Sequence, residues 1–224
     1  MTPLVYQGVF HIYMNLLMLL IGYTLLKRSK ESGDRMLRFI AIGFFAAGVE
    51  YLFIGLPLFF FPYEFYLVKM SGFVAWILSY FTVFFMWYAT KFVFQKFPVK
   101  PMLVALTIIW AWILYRYLVP FQLAFINEAG IMDWAQNQAI MVGGLLFTVT
   151  YLPYGVVFFI RGFQKKMYFK ALTFGLGMAG YLLFLPLTYQ VKTFPTYLFL
   201  TAMAGLSMTL ITVGVLFSHA IYRR

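Results

Sequence analysis

The chain contains no cysteine, only six acidic residues and two histidines among 224 residues. The absence of cysteine excludes disulfides, thiolate metal sites and thiol redox chemistry. The histidines, His11 and His219, sit near opposite ends of separate apolar runs, so they cannot clamp one haem at one depth. No metal-ligand cluster, carboxylate pair, nucleophile elbow or phosphate-binding loop occurs. The last apolar run has no lysine, which removes a retinal Schiff base. No enzyme activity, metal or cofactor is expected. Charged residues make up 10% of the chain and hydrophobic residues 64%. A soluble domain of this length has nowhere to bury that much apolar surface, so the composition is that of a polytopic integral membrane protein.

The net charge of +11 does not point to nucleic acid. All Lys and Arg residues except Lys69, Arg116 and Lys192 fall in short segments beside apolar runs. Basic loops of this kind orient a protein in a bilayer and attract anionic headgroups. Seven spans of an all-α bundle are predicted, forming one domain over 1–224, at 5–26, 38–60, 65–90, 101–119, 138–160, 170–189 and 196–218. The basic segments follow spans 1, 3, 5 and 7, whereas Glu64, Glu128 and Asp133 fall on the other side. The positive-inside rule then puts the N-terminus outside and the C-terminus in the cytoplasm. The first basic residue is Lys27 and no cleavage motif follows the first run, so that run is expected to be a retained span. The expected location is the cell membrane, a bacterial inner membrane.

The second span holds Glu50 near its middle, on one face with Gly43, Ala46 and Ala47. A carboxylate at that depth costs at least a few kcal/mol unless it is compensated. The first span carries Gln7, His11 and Asn15 at i, i+4, i+8 on one face. At ~1.5 Å per residue, Glu50 lies ~14 Å in, level with Asn15 and a little deeper than His11. These three are the candidate ligand- or proton-binding residues. The plainer alternative is a protonated Glu50 bonded to a neighbour and a polar stripe that joins sister helices. Lys69 begins the third span. It is the fourth candidate of that site, expected to snorkel to water from the outer boundary, with reaching down to Glu50 as the alternative.

The segment 121–138 mixes Phe, Leu, Ile and Trp with Glu128 and Asp133 and is expected to form a helix on the membrane surface; a lid over an outer cavity is the alternative. Pro153 and Pro186 are expected to kink the fifth and sixth spans. YLFIGLPLFF in the second span is echoed by YLLFLPLTY in the sixth, at an offset of about 130 residues. The echo suggests a 3+1+3 pseudo-repeat: two three-helix units of like orientation, with the fourth span between them.

The run from Lys27 to Arg38, followed by an apolar helix bearing Gly48-Val49-Glu50, resembles the membrane sensor modules of bacterial seven-helix histidine kinases. That resemblance implies a sensor or receptor-like protein. The sequence through Arg224 carries no kinase or other output domain, so a signal is expected to pass to a separate protein partner through the basic loops. The paired units and the prolines also resemble the sugar carriers built from two triple-helix units. The expected function is therefore a sensor binding a small or lipophilic ligand in its outer half. The alternatives are a proton- or cation-coupled carrier and an accessory subunit of a larger membrane complex.

Overall fold

The computed structural model describes residues 2–92, 98–134, 142–143, 145–146, 168–188 and 191–216. Among the described residues the fold is all-helical apart from one small hairpin. Its helices are α1 (Pro3–Ser32), α2 (Arg35–Phe60), α3 (Phe65–Thr90), α4 (Val99–Leu118), α5 (Tyr168–Leu187) and α6 (Phe194–Leu216). The hairpin strands are β1 (Phe125–Ile126) and β2 (Met132–Asp133). Five helices, α1 to α4 and α6, are long and apolar enough to cross a membrane; α5 is apolar over the shorter stretch Thr173–Leu187. The predicted fifth span, with Thr148, Thr150 and Pro153, lies outside the described residues except at 142–143 and 145–146.

Local chemistry sets the helix ends. Thr2 caps α1 by accepting the Val5 amide at 3.4 Å, and Pro3 occupies the first turn, where its missing N–H is harmless. The helix runs through Lys27 and Lys30 to Gly33, whose φ of 69° stops it. It is therefore longer than its apolar part, and the predicted first loop shrinks to two residues. Asp34 then caps α2 through its Oδ1, which accepts from Met36 N at 2.8 Å and Leu37 N at 3.4 Å.

Small residues at intervals of seven hold α1 against α2. A Cβ on Gly8 would stand 3.1 Å from Gly55 O, and one on Gly22 would stand 3.2 Å from Ala41 O. Asn15, midway between them, donates to Gly48 O at 2.8 Å. The two backbones thus run side by side along their length, a contact that bulky residues would prevent. Helix α2 packs in turn on α3, α3 on α4, α5 on α6, and α6 back on α1. Gly143 lies against the Trp76 ring of α3. The central core, including Met14, Ile21, Phe44, Tyr51, Met208 and Ile211, lies where α1, α2 and α6 converge. At the basic end Arg28 donates to Val215 O at 2.6 Å and Leu216 O at 3.3 Å, fastening α6 to α1.

Candidate functional site

The hairpin forms the cover of the site. Phe125 pairs with Asp133 and Ile126 with Met132, antiparallel. Asn127 Oδ1 accepts the amides of Ala129 at 3.0 Å and Ile131 at 3.4 Å, and Gly130 turns the chain with φ 73°. The predicted surface helix is thus absent from 121–134, where Asn127 and Gly130 make a turn instead.

Four hydrogen bonds fasten this hairpin to the bundle. The Gln7 side chain takes both backbone groups of Met132, donating to its carbonyl at 3.2 Å and accepting its amide at 2.8 Å. Trp134 Nε1 donates to Val68 O at 3.3 Å, and Lys69 Nζ donates to Trp134 O at 2.7 Å. Lys69 does not snorkel: it is 0% exposed, with its ammonium 3.9 Å from the centre of the Tyr117 ring. The Tyr117 hydroxyl donates to Lys69 O at 2.7 Å, and the Asp133 carboxylate acts on the ammonium electrostatically. The hairpin covers the lysine and supplies its acceptor, so it has no need to reach water.

Beneath the hairpin, His11 stacks on Tyr51 with ring centres 5.6 Å apart, and meets the edge of Trp134 at 6.4 Å. His11 is 5% exposed and its Nδ1 is buried without a hydrogen-bond partner. The Tyr51 hydroxyl in turn bonds the Tyr181 hydroxyl of α5 at 2.7 Å.

Glu50 faces elsewhere. Its face of α2 includes Gly43, where a Cβ would meet the Met86 side chain and Thr82 O of α3 at 3.3 and 3.4 Å. Ser79 of α3 is the neighbour that acts on the Glu50 carboxyl, whose Oε2 is buried with no hydrogen-bond partner. The α1–α2 register puts Glu50 at a height between His11 and Asn15, as expected, but those residues meet α2 at Tyr51 and Gly48. The acid's neighbour comes from α3 and not from α1. Sequence position alone gives height along a helix, and which neighbour a face meets depends on helix order.

The chain matches no family model, no curated protein and no solved structure.

Two of the four predicted site residues are occupied by the fold. Asn15 is spent on Gly48 O, and Lys69 on Trp134 O and the Tyr117 ring. The other two, His11 and Glu50, each keep one buried polar atom unpartnered. Among the described residues no group of three or more His, Cys, Asp or Glu residues comes together. Ser79, Tyr51, Trp134 and Tyr181 escaped the sequence reading. Tyr51 and Tyr181 left a trace, since each opens one of the two echoed segments.

Proposed function

We propose that this is a receptor-like protein of the cell membrane with seven spans, its N-terminus and hairpin outside and its basic end in the cytoplasm. It binds a small, largely apolar ligand beneath the hairpin and acts through a separate protein. The observation that carries the reading is the fixed hairpin above an imidazole with a free buried nitrogen. A ligand with one hydrogen-bonding group suits His11 Nδ1, and the rings of Phe10, Tyr51 and Trp134 suit its apolar body. The basic residues Lys27, Lys30, Arg35 and Arg38 suit an acidic face of a cytoplasmic partner.

The same hairpin disfavours a carrier. Alternating access would have to release the four buried hydrogen bonds in every cycle, each costing about 1–3 kcal/mol while unmade.

Reconstitution and native purification test the reading together. Liposomes holding the protein alone should show the proton and sugar permeability of protein-free liposomes. Purification from native membranes should yield a protein partner that is lost on charge reversal of Lys27, Lys30 and Arg35. Saturable flux through the protein alone, or a partner unaffected by those reversals, overturns the proposal.

A further inference from the structure

We propose that the basic end of α2 and α3 holds one anionic phospholipid, its phosphate between Arg35, Arg38 and Lys91 and its acyl chains along the exposed sides of the two helices. This stands apart from the ligand site under the hairpin and holds whether or not that site exists.

Aromatic packing fixes the platform. Helix α2 begins where α3 ends. There the Phe39 ring packs on Tyr88 with centres 4.6 Å apart, and stacks on Phe92 at 5.9 Å and on Phe85 at 6.4 Å. Arg35 stands one turn before Phe39 on the same face of α2, and Arg38 lies three residues beyond Arg35. Lys91 follows the last turn of α3, with its ammonium 6.0 Å from the centre of the Tyr88 ring. Three cations thus flank one ring cluster, and all three are exposed.

The acids at this end are engaged elsewhere. Of the six acidic residues only Glu31 and Asp34 lie here. Glu31 acts on Arg28, and Asp34 Oδ1 accepts the amides of Met36 and Leu37. The cations therefore call for an external anion. Guanidinium forks and an ammonium suit a phosphate.

The surface beside the cations selects the carrier of that phosphate. Phe53, Leu56 and Phe60 continue the side of α2 that bears Arg35 and Arg38, and all are exposed. An apolar side exposed along a helix of membrane-spanning length suits acyl chains, and cations at its end then stand at headgroup level. A water-soluble acidic peptide matches the cations alone, whereas a phospholipid matches the cations and the apolar side together. Phosphatidylcholine brings its own ammonium among three cations, so the headgroup must carry net negative charge.

The experiment is thermal unfolding of the purified, delipidated full chain in a neutral detergent, titrated with phosphatidylglycerol, phosphatidylcholine or inorganic phosphate. The midpoint should rise and saturate with phosphatidylglycerol, as mass action requires for a ligand of the folded state, and stay in place with the other two. Arg38→Gln with Lys91→Gln should raise the half-saturating phosphatidylglycerol concentration about tenfold. Lys27→Gln with Lys30→Gln removes the same charge from α1 and should leave that concentration within about twofold, since attraction falls off with distance from the headgroup. If the first double variant does not fold, Lys91→Gln alone decides. Equal shifts with both lipids, a shift with inorganic phosphate, or equal losses in the two double variants overturn the proposal.

Discussion

Lys69 illustrates how a costly residue becomes tolerable through contacts distant in sequence. An ammonium in an apolar bundle needs an acceptor, and here the acceptor is a carbonyl 65 residues away, with an aromatic ring 48 residues away beside it. Lys69→Ala should cost roughly 1–3 kcal/mol, because it empties a filled site and leaves Trp134 O unpaired. Lys69→Met should cost less, since it keeps the volume and removes the need to desolvate a charge. Unfolding in detergent distinguishes this from a snorkelling lysine, for which both changes would fall within about 0.5 kcal/mol. The sequence showed that Glu50 needed a partner, and led Lys69 to be expected in water. It could not show which groups they meet, because Trp134 and Ser79 become neighbours only when the hairpin folds back and α3 takes its place beside α2.

At the scale of the elements, the α1–α2 pair depends on close backbone approach. A Cβ on Gly8 would lie 2.9 Å from Phe59 N and 3.1 Å from Gly55 O, and backbone atoms cannot swing aside as a side chain can. Gly8→Ala is therefore expected to destabilise by about 1–3 kcal/mol. Gly205→Ala on α6 is the control: its Cβ would meet the Tyr13 ring at 3.4 Å and the Phe10 ring at 3.8 Å, both ordinary contacts, and the midpoint should hardly move. The presence of the helices was the most legible feature, since long apolar runs mark them directly; their ends were less so, as the first span was expected to stop at 26 and α1 runs on to Ser32, where Gly33 and Asp34 make the turn. The hairpin was not. Its apolar residues alternate with polar ones loosely enough to resemble an interfacial helix, and Asn127 and Gly130 were the only local signs of a turn.

Across the whole molecule the echo at about 130 residues acquires a physical counterpart. Tyr51 and Tyr181, which open the two echoed segments, bond to each other across α2 and α5. Glu50 lies by Ser79 of α3, and Gly180 lies against Ser207 of α6. A cycle of Tyr51→Phe, Tyr181→Phe and the double variant should show a coupling energy above about 0.5 kcal/mol, whereas strictly additive losses would mean the hydroxyls act separately. The receptor-like reading itself rests on a closed hairpin end. Hydrogen–deuterium exchange of the full chain in lipid nanodiscs tests this most directly. The account predicts that the Met132 amide exchanges as slowly as the helix interiors, and that Gln7→Ala accelerates it at least tenfold. Rapid exchange at Met132 in the unaltered protein would mean that the hairpin stands open, and the reading would fail.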